Sequence, residues 1–340
     1  GTVYYGSQFV HASTARGESW KVISPDLTTN NPAWEKQDDS GGLTPDVTAA
    51  ENYCTLLTIA PSPVEKGVIW TGSDDGRIHV TRDGGASWTS VEASLEGVPA
   101  NTWIPHIEPS RFSASEAFVV LEDHRRSNWT PYVLKTNDFG ATWTSLVTPA
   151  LRGWALVIVQ DPVKRDLLFL GTEFGLYATL DGGRSWLPLA KTVPTVSVMD
   201  MAIQARDADL FIGTHGRAAW VLDDLRPLRE LSAATLAEPL RLYTPAPALQ
   251  HARSPEAGGF GFGATEFRGA DHPYGAILTY SLNLPDLPLQ DEEKEKARKA
   301  AEHAKRLAGA TWGPEPTPNP TTEAEPGPED EKEPKVEILV

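Results

Sequence analysis

Basic residues and cysteine are scarce in this 340-residue chain. Its 30 lysines and arginines stand against 46 aspartates and glutamates, for a net charge of −16. This balance argues against a nucleic-acid partner, because phosphates require a basic footprint on the protein. Cys54 is the only cysteine, so no disulfide forms within the chain. A lone cysteine is typical of a small, half-buried hydrophobe rather than of a reactive thiol.

Long apolar runs and metal-ligand spacings are also missing. No run approaches the length of a membrane span, so we expect no membrane-spanning segment. The eight histidines are scattered, with no H-x-x-x-H pair, and we expect neither a metal nor another cofactor. The first residues, GTVYYGSQ, lack the basic start and the apolar stretch of a signal peptide. They are typical of the middle of a fold.

Turn-forming residues and tryptophan, by contrast, are plentiful. The 28 glycines, 28 prolines and 11 tryptophans favour a turn-rich, all-β protein over a helical one. The length allows one large or two ordinary domains, each with a well-buried core.

One eight-residue string, which we call the box turn, recurs along the chain. It is TRDGGASW at 81–88, TNDFGATW at 136–143 and TLDGGRSW at 179–186, with a damaged copy, STARGESW, at 13–20. A hydroxyl residue is followed by an aspartate two positions later, a glycine after two more and a tryptophan after another three. Ala15 replaces the aspartate in the damaged copy. The members of the pattern are Ser13, Gly17, Trp20, Thr81, Asp83, Gly85, Trp88, Thr136, Asp138, Gly140, Trp143, Thr179, Asp181, Gly183 and Trp186.

The residue types of the box turn predict a structural role. Its hydroxyl and carboxylate groups suit hydrogen bonds from the backbone N–H groups of their own turn. Its glycine tolerates positive φ, and its tryptophan suits burial of an aromatic face between strands. The alternative, a calcium loop, needs a bidentate glutamate at a fixed offset, and none follows. The aspartates are therefore expected to be structural.

Apolar, β-prone stretches surround each box turn. Four of them align on Gly6, Gly72, Gly171 and Gly213, and each continues through a turn into a second short strand. A stretch upstream, such as YCTLLTIAPSP at 53–63, adds one strand, and the residues after the box turn add another. Recurring units of four antiparallel strands predict an all-β fold, a β-propeller of which about four and a half blades are visible.

The first blade opens on its second strand, which leaves an apolar edge of the kind that native proteins cover. We therefore expect this chain to be part of a larger propeller. Either an upstream part of the same protein or another subunit would complete it. Residues 241–247, RLYTPAP, are the internal candidate for closing the ring. The alternative is a small closed propeller whose two ends share a blade.

The string S/T-x-D-x-G-x-x-W resembles the Asp-box, or bacterial neuraminidase repeat, of sialidases, xyloglucanases, photosystem II assembly factors and sortilins. Longer stretches at 24–30, 106–112, 171–177 and 213–224 resemble the large bacterial sortilin-like proteins often labelled glycosyl hydrolases. The resemblance covers roughly residues 1–283. It implies a secreted or periplasmic protein of stacked propellers, followed by a C-terminal fibronectin-like β-sandwich.

Composition divides the chain into predicted regions. Residues 291–308 are good helix formers without an apolar face, and 313–334 have the composition of a disordered acidic tether. KVEILV at 335–340 is typical of a strand. The regions are propeller blades at 1–231, an extended wrapping segment at 232–271, and partial β-sandwich strands at 272–340 interrupted by the charged insertion at 285–334.

Carboxylates near the ends of the propeller channel are candidates for catalysis. A glycosidase needs two of them on one bond, one as acid and the other as base or nucleophile. Glu108 also lies near an end of the channel, but it is not among the main candidates. The main candidates are Asp75, Glu122, Asp123, Glu173 and Asp200.

Basic residues are candidates for ligand binding. Arg125 and Arg126 are adjacent and would point to opposite faces of a strand, which matches a sialidase arginine cluster poorly. His215 and Arg217 are more suggestive, because histidine titrates near neutrality and arginine clamps anions. The structural alternative is that both of these side chains hydrogen-bond their own turn.

Two functions follow from these observations. The favoured one is a non-catalytic propeller that binds protein, peptide or glycan, or scaffolds a larger assembly, as the sortilin resemblance implies. The alternative is a sialidase- or xyloglucanase-like glycoside hydrolase with paired carboxylates at the channel mouth. An open, aromatic-lined cleft with two carboxylates would favour the enzyme, and a channel filled with side chains would favour the scaffold.

Overall fold

The chain forms two compact units. The first comprises Gly1–Ser232 and Tyr243–Thr279, and the second comprises Ala233–Leu242 and Tyr280–Val340. The structure is a computed structural model that describes residues 1–35, 43–44, 47–48, 53–248, 275–284, 296–297 and 299–301.

Antiparallel sheets follow one another along the first unit. Apart from the short pair β4–β5, we number them as the first to the fifth sheet. Each sheet is hydrogen-bonded in the order in which the chain forms its strands. The strands are β1–β3 (Val3–Gly6, Val10–Ser13, Lys21–Val22), β4–β5 (Leu43–Thr44, Val47–Thr48), β6–β9 (Leu56–Pro61, Ile69–Ser73, Ile78–Thr81, Thr89–Ser90), β10–β13 (Trp103–Pro109, Ala117–Asp123, Asn128–Thr136, Thr144–Ser145), β14–β17 (Ala155–Gln160, Leu168–Thr172, Gly175–Thr179, Leu187–Pro188) and β18–β20 (Val198–Gln204, Asp209–Thr214, Ala219–Leu222).

The prediction of an all-β, propeller-like fold with four-stranded antiparallel blades is confirmed. The second, third and fourth sheets have four strands each. The first sheet has three, and its strands correspond to β7, β8 and β9 of the second sheet, because β2 leads into the damaged box turn as β8 leads into an intact one. The fifth sheet has three strands and no box turn.

Apolar side chains of the second strands pack against the sheets on both sides. On β15, Leu168 and Leu170 contact the third sheet, and Phe169 contacts the fifth. This alternation follows from the two-residue period of a strand. The first strands lie side by side in chain order, β6 next to β10, β10 next to β14, and β14 next to β18. The core therefore consists of apolar layers between successive sheets.

A glycine near the end of most second strands allows the next sheet to approach. A Cβ atom on Gly72 would lie 2.4 Å from the Ile104 side chain, and one on Gly171 would lie 2.7 Å from Val198. Any larger residue would therefore collide with the first strand of the following sheet. This close approach explains why the repeated stretches align on glycine.

The internal candidate for closing the ring, the segment at 241–247, does not pair with the first sheet among the described strands. Leu240–Leu242 instead pairs with Tyr280–Leu282, where Leu240 lies opposite Leu282. Alternating apolar residues on both segments favour this pairing. The elements after the fifth sheet are α1 (Arg226–Glu230) in the first unit, and α2 (Ala233–Ala237), β21 (Leu240–Leu242) and β22 (Tyr280–Leu282) in the second.

The described residues cover part of the remaining predictions. The strand predicted within 272–283 is present over Tyr280–Leu282. Residues 296–297 and 299–301, the described part of the predicted helix at 291–308, are helical. The tether and the last predicted strand lie outside the described residues, so the domain boundaries stay predictions. Within the described ranges, every helix is too short or too polar to cross a bilayer.

Candidate functional site

The first unit has two rims that differ in content. Because the strands of each sheet are antiparallel, the box turns between third and fourth strands lie at one end of the sheets, which we call the lower rim. The hairpins between second and third strands lie at the opposite end, the upper rim. The chain also enters each first strand at the upper rim.

The box turns form their hydrogen bonds internally. In the fourth sheet, Thr179 Oγ1 accepts a hydrogen bond from Gly183 N at 3.0 Å and donates one to Asp181 at 2.7 Å. The Asp181 carboxylate also accepts from Ser185, through the backbone N at 2.9 Å and the hydroxyl at 2.6 Å. The other two intact copies repeat these bonds. The carboxylates of the box turns are thus occupied by their own turns.

Two box tryptophans also attach their turn to the preceding sheet. The indole N–H of Trp186 donates to Leu146 O at 2.8 Å, and that of Trp88 donates to Ile23 O at 3.0 Å. Both acceptors directly follow the last strand of the preceding sheet. A Cβ atom on Gly183 would lie only 3.0 Å from the Leu146 side chain, so the glycine allows the turn to lie against that residue.

The damaged copy in the first sheet makes only part of these contacts. Ser13 Oγ accepts from Gly17 N at 2.9 Å, as in the intact turns, but Ala15 offers no carboxylate. Trp20 is 45% exposed and Tyr5 is 60% exposed. Among the described strands, β1 pairs with β2 alone. The face of the first sheet that would meet a preceding sheet is therefore open to solvent.

The candidate carboxylates of the third sheet are paired with cations. Glu122 binds His124 Nδ1 and Arg125, and Asp123 binds Arg126. Both carboxylates are buried, at 4% and 6% exposure. Contrary to expectation, the two arginines lie in a short 3₁₀ turn instead of a strand. Each therefore folds back onto its own carboxylate.

The Asp75 candidate is enclosed in a hydrogen-bonded hairpin of the second sheet. Its carboxylate accepts from Thr29 N at 2.6 Å and from the Ser73 hydroxyl. The adjacent Asp74 accepts from Thr55 N at 2.9 Å and from Thr55 Oγ1 at 3.0 Å. Burial raises the pKa of Asp74 to about 6. Asp74 thus fastens the hairpin to the chain that enters β6, and Asp75 fastens it to the segment that follows β3.

Asp200 and Glu108 lie on first strands, away from these hairpins. Asp200 is exposed on β18, and its charge opposes the lowering of the His106 pKa that burial causes. On β10, burial raises the pKa of Glu108 to about 7, although the carboxylate accepts a hydrogen bond from Gln160 N at 3.3 Å. Glu108 and Asp200 therefore lie on the first strands of their sheets, apart from the carboxylates of the upper-rim hairpins.

His215 and Arg217 are exposed in the hairpin of the fifth sheet. Their backbones are bonded, His215 N to Ser197 O at 2.9 Å and Arg217 O to the Trp220 indole at 3.0 Å. The structural alternative expected both side chains to hydrogen-bond their own turn. Within the described part of the chain, neither side chain does so. The structure also places neither residue with Arg125 or Arg126 in a common ion-pair network.

An aromatic surface that sequence reasoning missed occupies the upper rim of the third and fourth sheets. Trp154 stacks on His124 with ring centroids 4.5 Å apart, and Trp129 lies 5.2 Å from Trp154. Trp129 is 56% exposed, and Phe174 is 49% exposed. Glu173 belongs to the same surface, because its backbone N donates to Trp154 O at 3.1 Å. We call these five residues the aromatic patch.

Gly153 brings the parts of the patch together. A Cβ atom at this position would lie 2.9 Å from the Phe174 ring and 3.0 Å from Glu173 Cβ, so only glycine allows the approach. Its φ of 73° is also a conformation that favours glycine. Desolvation raises the pKa of the Glu173 carboxyl, and the nearby charge of His124 opposes that shift.

Ring contacts continue from the patch towards the second sheet. The Arg125 guanidinium, which shares Glu122 with His124, lies 3.6 Å from the ring centroid of Trp103. Trp103 lies 6.2 Å from Tyr53, which in turn lies 5.8 Å from Trp34. The aromatic row thus extends over the upper rim of three successive sheets.

A sequence signal for this row exists in the positions of its aromatic residues. Tyr53, Trp103 and Trp154 all stand where the chain enters a first strand. Their positions recur with the blades but lie outside the box turns. A large aromatic residue at that place in three successive units marks the upper rim.

The described residues contain no group of three or more histidine, cysteine or acidic side chains arranged to hold a metal ion. The aromatic patch offers instead flat apolar faces and one carboxylate. Its chemistry suits binding of a ligand that presents both an apolar face and hydrogen-bond donors.

No family model matches the chain, and no curated protein matches it. Solved structures are similar to it at low identity, and the chain spans about a quarter to a half of the length of the three named below. At these identities and scores, they leave the activity and the partners of this chain open. An ancestral GH74 enzyme is 16% identical over 63% of this chain and 26% of that chain, with a TM-score of 0.44. The GH74 xyloglucanase from Xanthomonas campestris is 16% identical over 66% of this chain and 35% of that chain, with a TM-score of 0.45. YCF48 bound to D1 peptide is 18% identical over 49% of this chain and 51% of that chain, with a TM-score of 0.38.

Proposed function

We propose that this chain is part of a secreted or periplasmic, sortilin-like Asp-box propeller that binds a protein, peptide or glycan at the upper rim without catalysis. One contrast at that rim carries the proposal. Large aromatic faces are exposed there, whereas most carboxylates around them are engaged by cations or by backbone donors.

The engaged carboxylates are poorly suited to glycoside hydrolysis. That reaction requires one carboxyl that donates a proton and a second that acts as base or nucleophile. Glu122 and Asp123 are buried against histidine and arginine partners. Burial behind these partners removes both carboxylates from an incoming substrate.

The box turns contribute structure in this proposal. Hydrogen bonds from Ser87 and Thr81 lower the pKa of the Asp83 carboxyl to about 2. Asp83 is therefore ionised at neutral pH and cannot donate a proton as a general acid. Its hydrogen bonds remain within one turn. The box turns also lie at the rim opposite the aromatic patch.

A glycoside hydrolase is the second candidate, and Glu173 is the observation that favours it. Its pKa is raised by desolvation, as a general acid requires, and it lies beside exposed aromatic rings. A hydrolase would also need a second carboxylate across the bond that is cleaved. The carboxylates of the neighbouring hairpin, Glu122 and Asp123, are committed to ion pairs.

The two candidates differ in what happens to a bound polysaccharide. We would incubate the full chain with soluble polysaccharides, measure the release of reducing ends, and compare Glu173→Gln with Glu65→Gln. Glu65 is an exposed glutamate in the hairpin between β6 and β7 and serves as the matched control. We expect no release above buffer from any of the three proteins. Release that Glu173→Gln alone abolishes, at an unchanged melting temperature, would establish the hydrolase instead.

We also propose that a further blade of this repeat covers the open face of the first sheet. The blade would come from an upstream part of the same protein or from another subunit. Trp20 is its natural contact, because Trp186 at the equivalent place donates to a carbonyl of the preceding sheet. Exposure of Tyr5 beside Trp20, with ring centroids 6.1 Å apart, supports the same face.

A further inference from the structure

We propose that the aromatic patch binds pyranose rings of an uncharged polysaccharide. This inference rests on the proposed function, which places binding at the upper rim, and names the class of ligand. It follows from the aromatic faces that the patch exposes, from the acidic net charge of the chain and from the carboxylate of Glu173, which remains open to a ligand.

Exposed, well-positioned aromatic faces provide the stacking surfaces. Trp129 is on β12 and keeps its ring against Trp154, yet 56% of it is exposed. The side chain of Asn128, one residue earlier, is held by Asp123 at 2.9 Å and by Tyr132 at 2.8 Å. A large aromatic face that is held in place but not covered is a binding surface. The axial C–H groups of a pyranose ring form an apolar face of matching shape.

Two of the cations near the patch, Arg125 and Arg126, are occupied by carboxylates. Arg125 is bound to Glu122 and lies over the Trp103 ring. Arg126 is bound to Asp123 and also donates to Ala100 O and to a threonine hydroxyl, each at 2.9 Å. An acidic ligand needs uncommitted guanidinium groups, and the net charge of −16 opposes its approach. The net charge therefore disfavours uronic, sialic and sulfated sugars.

Glu173 supplies the polar contact. Within the described residues, its carboxylate has no hydrogen-bond or ion-pair partner, although the residue is half-buried beside Trp154. A carboxylate next to a stacking face accepts hydrogen bonds from ring hydroxyls, which replace the water that stacking removes. An uncharged sugar supplies both the C–H face and these hydroxyl donors.

The repeated aromatic row favours a polysaccharide over a basic peptide. A lysine or arginine side chain would suit a single ring with an adjacent carboxylate. The row, however, continues from Trp129 through Trp154 to Trp103 and Tyr53 over three sheets. A polymer of similar flat units matches such repetition, whereas one cationic side chain uses only one ring.

The test measures binding by the full chain to hydroxyethylcellulose, galactomannan and arabinoxylan, with polygalacturonate and oligolysine as charged probes. We expect retardation in affinity gel electrophoresis by at least one of the three neutral polysaccharides, and by neither charged probe. Trp129→Ala and Phe174→Ala should each weaken that binding about tenfold or more. Trp20→Ala is the matched control, since Trp20 is comparably exposed on the first sheet.

The outcomes separate this inference from the proposed function. Binding to oligolysine alone, lost in Trp129→Ala, would overturn the polysaccharide and leave upper-rim binding in place. Binding to neutral polysaccharide that survives both patch variants would overturn the site, and binding to none of the three would overturn the ligand class. Release of reducing ends would instead contradict the absence of catalysis.

Discussion

The two rims of this protein use similar polar residues in opposite ways. The lower rim repeats one solution, with nearly identical strings at 81–88, 136–143 and 179–186. The hairpins of the upper rim all differ, and are SDDGR at 73–77, EDHRRSN at 122–128, TEFG at 172–175 and THGRA at 214–218. The repeated box turns form their hydrogen bonds internally. The hairpins that differ carry exposed aromatic and charged side chains, such as Phe174 and Arg217. A repeated polar motif in such a fold therefore marks structure, and the variable hairpins carry the proposed binding surface.

Electrostatics separate the rims in the same way. On the lower rim, hydrogen bonds from Ser87 lower the pKa of Asp83 to about 2, and those from Thr142 lower the pKa of Asp138. On the upper rim, desolvation raises the pKa of Asp74 to about 6 and also raises that of Glu173. Solvated turns with many donors favour the ionised carboxyl, whereas partly buried hairpins disfavour it.

The largest expected effect concerns the box tryptophans. Trp186→Ala removes a side chain that is 3% exposed and bonded to Leu146 O, and should lower the free energy of unfolding by about 3–5 kcal/mol. Trp20→Ala removes the equivalent residue of the first sheet, which is 45% exposed, and should cost about 1 kcal/mol or less. Denaturant unfolding of the two variants measures the difference. Equal losses would show that the first sheet already has its partner, against the proposed covering blade.

A smaller effect is expected from the box carboxylates. Asp181→Ala removes the acceptor for Ser185 and Thr179 and should cost about 1–2 kcal/mol at neutral pH. Because the folded-state pKa of Asp181 is below its unfolded value, this contribution is present above about pH 4 and is lost as the pH falls through the lowered pKa. Thermal melts of wild type and variant between pH 2 and 7 should therefore converge at the acid end.

Ala15→Asp is the matched reverse change. Ser19 stands in the first box turn where Ser185 stands in the fourth sheet, so the new carboxylate would find the same donors. The variant should be slightly more stable than wild type at neutral pH. A loss of stability in Ala15→Asp, or no loss in Asp181→Ala, would contradict the structural role of the box aspartates.

The strand order and the turn chemistry of the lower rim were predictable because they are local. Each box turn is closed by residues within eight positions, and glycine spacing indicates where the next sheet comes close. These features follow from turn types and from the two-residue period of strands.

The aromatic patch was not predictable in the same way, because it is assembled from segments that are far apart in sequence. His124 meets Trp154 only because the third and fourth sheets pack side by side, and Phe174 joins them only because Gly153 permits close approach. The pairing of Leu240–Leu242 with Tyr280–Leu282 was missed for a similar reason. Short apolar segments do not specify their partner by pattern alone.

Hydrogen–deuterium exchange of the full chain with and without a bound neutral polysaccharide tests most directly whether function resides on the upper rim. The account predicts slower exchange in peptides covering 122–130 and 153–175, which carry the aromatic patch. Peptides covering the box turns at 81–88 and 179–186 should exchange at unchanged rates. Protection of the box turns with none at the patch would contradict the account.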